Sequence, residues 1–314
     1  MEYREAYNMG KAVLSAASVP DADTDARLLL EFVCGTNRNT LLAHGDREVT
    51  KDQESTYRDL VEKRSQRVPL QYLTGVQDFM GLEFAVNEHV LIPRQDTEIL
   101  VEEALQYLHD GMQVLDMCTG SGCILLSLLN YSNNCEGVGA DVSEEALKVA
   151  EKNAVKLLGE QAVRNRPGNS DETTAPEKSG ESEELPDLCV GTHVSFVQSD
   201  LFEKVQGQFD MIVSNPPYIE SGVIDTLMPE VRDYEPRLAL DGSEDGLIFY
   251  RRILKECPVY LKKGGMLFFE IGYDQGEAVS RLMEQAGFLQ VMLISDYAGM
   301  DRVVCGTLGF GDVP

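Results

Sequence analysis

From Asp96 onward, short apolar runs alternate with turns and helix-period segments, and a repeated strand, turn, helix rhythm is met by few architectures other than a parallel sheet covered by helices. Strands are predicted at 113–117, 137–141, 193–198, 211–214, 266–271, 289–295 and 303–308, with a helix from 143 to about 158. Asp96 or Thr97 can cap an earlier helix that runs to about residue 109. Up to about residue 75 the rhythm is absent. Ala26, Leu28, Leu29, Leu30, Phe32 and Val33 form one helical apolar run, and Tyr57, Leu60 and Val61 belong to another. Between the two regions, alternation at Leu82, Phe84 and Val86 beside Asn87-Glu88 predicts a β-hairpin. The expected organisation is a small all-α domain at 1–76, a hairpin connector at 77–94 and an α/β domain at 95–314; a chain of 314 residues has room for both domains.

Residues 165–187 break the rhythm. Rich in Asn, Pro, Gly, Ser and Thr, and acidic at Asp171, Glu172, Glu177, Glu181, Glu183 and Glu184, the segment has too little apolar surface to offset its ordering entropy. It is expected to be a disordered insertion, either merely tolerated at the surface or regulatory.

The loop after the first candidate strand, Asp116-Met117-Cys118-Thr119-Gly120-Ser121-Gly122, leads into an apolar helix. Its glycines allow close approach of a ligand to backbone N–H groups. A dinucleotide fingerprint would need glycine at Cys118, Gly120 and Cys123, and only Gly120 complies. Asp116 would repel a pyrophosphate but suits the cationic end of S-adenosylmethionine, unless it serves only as a cap or turn residue. Asp141, ending the second strand, can accept from both ribose hydroxyls, or it can cap the following helix, a task Ser143 can also perform. After the third strand, Asp200 is placed for the adenine amino group, and Leu201 or Phe202 for the ring.

Asn215-Pro216-Pro217-Tyr218 is the most specific motif. Two prolines straight after a buried strand remove two N–H donors and fix a rigid loop. A strand terminator explains the prolines, but not Asn and Tyr at a strand's carboxyl end, where open α/β sheets bind ligands. An amide nitrogen is a poor nucleophile because its lone pair is delocalised, with a rotation barrier of ~18–20 kcal/mol. The Asn215 side-chain oxygen and the Pro216 carbonyl can hold the two N–H bonds of such a group while Tyr218 packs on its plane, so alignment does most of the work without a dedicated base.

Asn-Pro-Pro-Tyr in this position resembles the class I methyltransferases of amino nitrogens. Further stretches narrow the likeness: Pro69-Leu70-Gln71-Tyr72-Leu73-Thr74-Gly75, Ile92-Pro93-Arg94-Gln95-Asp96-Thr97-Glu98, Leu238-Ala239-Leu240-Asp241-Gly242, Glu270-Ile271-Gly272 and Asp301-Arg302-Val303-Val304. These resemble the glutamine methyltransferases of bacterial peptide chain release factors (PrmC/HemK). The resemblance implies a Rossmann-like, seven-stranded sheet with its last strand antiparallel. It also implies a helical N-terminal domain that helps recognise the factor, and methylation of the glutamine in the factor's Gly-Gly-Gln loop. Cys118, Thr119, Gly120, Ser121, Gly122, Asp141, Leu201 and Asn215 would contact S-adenosylmethionine, and Asn215 to Tyr218 would hold the glutamine. Cys118 stands where the family usually has glycine, and Gln95 where proline is usual.

With 53 acidic against 27 basic residues the net charge is −26, which disfavours nucleic acid as a partner, although an acidic proteome would give the same value without functional meaning. The alternative, a nucleic-acid adenine or cytosine amino-methyltransferase, would want a basic groove. A third reading, a module that binds a release factor without modifying it, is opposed by the intact Asp116, Gly120, Gly122, Asp141 and Asn215. No signal-like N-terminus or membrane-length apolar stretch is evident, and the seven scattered cysteines lack ligand spacing. A cytoplasmic monomer with reduced thiols and no metal is expected.

Overall fold

The computed structural model of the protein describes residues 1–164 and 191–310; the expected acidic insertion at 165–187 lies outside them. The chain divides into two compact units, one formed by Met1–Val76, Val86–Glu88 and Thr226–Glu235, the other by Gln77–Ala85, His89–Asp225 and Pro236–Pro314. No described helix is long and apolar enough to cross a membrane.

The first unit is helical: α1 (Tyr3–Ala16), α2 (Ala22–Cys34), α3 (Arg38–Ala43), α4 (Lys51–Ser65) and α5 (Leu70–Thr74). Their apolar stripes meet around Leu14, Ala26, Leu29, Leu30 and Tyr57, all fully buried. A reciprocal box between Thr50 and Gln53 starts α4, and left-handed glycines, Gly35 and Gly75, end α2 and α5. The same unit takes in residues 226–235, far away in sequence. Glu230 receives Arg64 Nη1 at 2.9 Å and Arg67 Nε and Nη2 at 2.7 and 2.6 Å, while Arg64 Nε also reaches Asp25 at 2.7 Å. Tyr234 donates to the Gln66 carbonyl at 2.8 Å.

From the last residue of the first helical stretch, β1 (Val76–Phe79) and β2 (Leu82–Ala85) form a two-stranded hairpin, all of it but Val76 in the second unit. Its turn is at Met80-Gly81, ahead of the Asn87-Glu88 pair beside which the sequence pattern was read. Both turn residues have positive φ, 51° and 72°, the two-residue geometry that matches strand twist. Methionine is a poor advertisement for such a turn, and Tyr131, which donates to the Met80 carbonyl at 2.5 Å, helps hold it.

There follow α6 (Gln95–Leu105), β3 (Gln113–Met117), α7 (Cys123–Asn130), β4 (Glu136–Asp141), α8 (Glu144–Leu158), β5 (His193–Gln198), β6 (Phe209–Ser214), α9 (Ser221–Ile224), α10 (Pro229–Tyr234, in the first unit), α11 (Ile248–Tyr260), β7 (Leu261–Glu270), α12 (Gly276–Gln285), β8 (Phe288–Ser295) and β9 (Asp301–Leu308). The sheet order is β5-β4-β3-β6-β7-β9-β8. Strands β3 to β7 pair in parallel, and β9, the last, runs antiparallel to both β7 and β8. The predicted strands are present; two start where expected and the other five start one to five residues earlier.

Alternate residues of the central strands serve opposite faces. Met211, Val213 and Phe268 join Leu100, Leu125 and Leu126 of α6 and α7, while Ile212, Leu267 and Phe269 join Tyr250, Ile253 and Val279 of α11 and α12. The chain winds outward from β3 through β4 to β5, then returns to β6 on the other side of β3. That reversal opens a crevice above the carboxyl ends of β3 and β6.

Candidate active site

Ala140 of β4 pairs with Met117 of β3, and Met117 pairs with Ser214 of β6, so the residues that follow these strands emerge at one level. There they wall an open cleft. Cys118, Thr119, Gly120 and Ser121 line it, with Asp141, Val142, Asp200, Leu201, Asn215 and Pro217.

The loop after β3 turns back on itself through left-handed residues Cys118, Gly120 and Gly122, with φ of 65°, 55° and 81°. A side chain at Cys118 makes that conformation strained, and only Gly120 and Gly122 adopt it freely. Asp141 fastens the loop from the next strand: Oδ2 accepts the Gly120 N–H at 2.9 Å and Oδ1 the Ser143 N–H at 2.9 Å. Ser143 caps α8, accepting from Ala146 N at 3.1 Å, which leaves Asp141 with lone pairs directed elsewhere. Burial raises the Asp141 pKa, and the Ser143 and Gly120 amides act against it.

Asp116 stands apart from this wall. It is wholly buried and does not line the cleft; its Oδ2 accepts from the Thr119 hydroxyl at 2.6 Å. Burial pushes its pKa up to about 7 despite the Thr119 bond. Gly122 is likewise behind the surface, where an added Cβ would stand 3.0 Å from Leu126. Asp200 pairs with Arg252 at 2.9 Å. Of the two candidates for a ring contact, Leu201 faces the cleft, while Phe202 turns into the core and stacks on Tyr260 at 4.6 Å.

Asn215, Pro216, Pro217 and Tyr218 leave β6 as a rigid arm. Ser214 anchors its root by donating to the Met117 carbonyl at 2.7 Å. Asn215 Nδ2 approaches Thr97 Oγ1 at 3.4 Å, and the Tyr218 hydroxyl approaches Glu270 Oε1 at 3.4 Å. Gln275 donates to the Tyr218 carbonyl at 3.0 Å. Gly242 and Gly246 press on the arm from outside, where an added Cβ would come within 2.8 Å and 2.3 Å of Tyr218 backbone atoms. Pro216 and Tyr218 do not line the cleft themselves.

Several participants escaped the sequence reading. Asn153, fully buried on α8, donates to the carbonyls of Ala85 and Ser121 at 3.0 and 2.9 Å and accepts from Ala85 N at 2.7 Å, so one amide ties the hairpin to the glycine loop. It looks like any polar residue on a helix, and nothing local signals its role. Thr97, read as a helix cap, lines the cleft together with His89, Arg94 and Phe249. Glu270 is 2% exposed at the end of β7, and burial pushes its pKa up to about 7.

The chain is also similar in sequence to known proteins. The PrmC N-terminal domain family matches residues 5–75. A release factor glutamine methyltransferase from Geobacter sulfurreducens is 36% identical over 98% of this chain and 96% of its own length. One from Caulobacter vibrioides is 38% identical over 96% of this chain and 95% of its own. A solved protein-(glutamine-N5) methyltransferase (release factor-specific) from Alicyclobacillus acidocaldarius is 26% identical, covering 72% of this chain and 99% of that one, with a TM-score of 0.37.

Proposed function

The chain belongs to the release factor glutamine methyltransferase family, and from that premise we propose that it transfers a methyl group from S-adenosylmethionine to the side-chain amide nitrogen of the glutamine in the Gly-Gly-Gln motif of peptide chain release factors. The observation that carries the reading is the placing of Asn215 and Pro217 on the same cleft wall as the Cys118–Ser121 loop, Asp141 and Leu201, at the switch point of the sheet.

The residues present fit the cofactor. Asp141, held by two backbone amides, keeps lone pairs for ribose hydroxyls. Leu201, Val142 and Phe249 offer apolar surface to a flat base, with Asp200 beside them as an acceptor. Asp116, bonded to Thr119 and buried, acts by shaping the loop instead of by meeting the ligand's cation. When bound, S-adenosylmethionine supplies a methyl group already activated by its sulfonium.

The chain's own contribution is alignment and hydrogen bonding. Asn215 Oδ1 and the Pro216 carbonyl accept the two N–H bonds of the glutamine amide and turn its lone pair towards the methyl group. Tyr218, set behind the cleft lining, supports this wall and backs the amide plane only as the arm closes on the substrate. Pro216 and Pro217 keep these groups from relaxing, because their φ is fixed. No dedicated base is assigned: the proton that the nitrogen sheds on methylation passes to water.

In this reading the enzyme is a cytoplasmic monomer that acts on a protein and not on nucleic acid, in keeping with its net charge of −26. Mass spectrometry of an unmethylated release factor incubated with the enzyme and S-adenosylmethionine is expected to show one added methyl group on the Gly-Gly-Gln glutamine. Labelled methyl passing to RNA or DNA, with the factor unmodified, would replace this function with nucleic-acid methylation.

A further inference from the structure

The acceptor arm is braced at both ends by one buried carboxyl. The Tyr218 hydroxyl approaches Glu270 Oε1 at 3.4 Å, and the Thr97 hydroxyl lies close enough to the same Glu270 side chain to favour its ionised form. Thr97 is in turn the partner of Asn215 Nδ2 at 3.4 Å. Thr97 and Glu270 are each 2% exposed, so water does not compete for these bonds. The long separations suit a site that tightens when filled.

A threonine hydroxyl has one proton to give. When that proton goes to Glu270, Thr97 can only accept at its other side, and Asn215 must turn its NH2 to Thr97. The Asn215 Oδ1 oxygen is then left for the ligand. We propose that Glu270 is a positioning residue for the methyl acceptor: by taking the hydroxyl protons of Thr97 and Tyr218, it sets the direction of the Asn215 amide and holds the Tyr218 ring. This rests on the reading of Asn215 as the acceptor of the glutamine N–H.

A protonated Glu270 reverses the relay. Its O–H donates to Thr97, the Thr97 proton swings to Asn215 Oδ1, and the amide then presents NH2 to the cleft, where it cannot accept from another amide. Burial places this titration at about pH 7, with Thr97, Arg302 and Tyr218 favouring the ionised form and Asp96 opposing it. Tyr250 of α11 and Cys123 of α7 are the other titratable neighbours, and Arg94 lies near Tyr218. Competent orientation therefore increases as pH rises through neutrality.

The test follows the Asn215 side-chain amide by NMR in the full-length protein, its signals assigned by their loss in Asn215→Asp. The wild-type signals are expected to titrate near neutral pH, and the titration is expected to vanish in Glu270→Gln. With release factor as substrate, wild-type kcat rises across the same range. Glu270→Gln flattens the profile and lowers kcat about tenfold, less than the ~10²-fold of a deleted transition-state donor, with cofactor Kd by calorimetry changed less than kcat. Should Glu270→Gln fail to fold, Thr97→Val breaks the relay at its other link and is expected to abolish the same titration. Retention of the wild-type Asn215 titration in either folded variant overturns the proposal. Because the NMR reading needs no methyl acceptor, a protein that left release factors unmodified would refute the function and leave the relay standing.

Discussion

Asn215 is held by its neighbours before any ligand arrives, through Ser214 at its root and Thr97 at its amide. Removing its side chain deletes an acceptor while leaving the Cys118–Ser121 loop and Asp141 intact. Asn215→Ala is therefore expected to keep cofactor affinity within a few-fold and to lower turnover by on the order of 100-fold, as when a preorganised transition-state contact is lost. Calorimetry and single-turnover methylation measure the two quantities, and an unchanged turnover would remove Asn215 from the mechanism. Residues with a distinctive local setting were legible in the sequence: Asn215 by its prolines, Asp141 by its position at a strand's end, Gly120 by its place in the loop. The choice between Leu201 and Phe202 was not, because both are apolar neighbours after one strand. Leu201 adopts φ of 52°, and that local backbone is where the two side chains part, one to the cleft and one to Tyr260. Asn153 and Glu270 were illegible as site residues for a different reason, since their partners are remote in sequence, as Ala85 is 68 residues from Asn153.

At the scale of elements, the strands of the sheet were legible because each is an apolar run bounded by turn residues. The hairpin turn was misplaced because Met80 carries none of the usual turn chemistry. Residues 226–235 gave no sign of their allegiance. A six-residue helix, Pro229–Tyr234, has too few turns to show a periodicity, and it is secured by charge: Glu230 to Arg64 and Arg67. Burial works to raise the Glu230 pKa, but the two arginines outweigh it and the carboxyl titrates below its ordinary range. A lowered folded pKa means that this contribution is complete above the unfolded value of about 4.3 and is lost as pH falls through the folded one. Glu230→Ala strips one of the two carboxylates from Arg64, whose side chain is 7% exposed, and leaves it Asp25. The expected cost at pH 7 is about 1–3 kcal/mol. Urea unfolding is the measurement, and the difference from wild type should shrink on acidification; equal midpoints at pH 7 would show that the clamp contributes nothing.

For the molecule as a whole, described residues on either side of the acidic segment expected at 165–187 pair with each other. Val163 bridges Val194 in parallel, and Arg164 N donates to the Val194 carbonyl at 2.8 Å, beside the outermost strand β5. Residues 164 and 194, which flank that stretch, therefore stand side by side. With a short linker in place of 165–187, the enzyme is expected to unfold cooperatively at a similar temperature and to methylate at the wild-type rate; calorimetry and mass spectrometry check the two parts, and a large loss of either would give the segment a function. The helical unit is tied in differently. The chain passes from one unit to the other after residues 76, 85, 88, 225 and 235, and Glu230, which Arg64 and Arg67 grip, is encoded more than 150 codons downstream of them. A recombination that exchanged only the first 76 codons would import arginines without the glutamate they pair with here. The helical unit is thus written in two distant stretches of the gene, and exchanging either one alone breaks the Glu230 clamp.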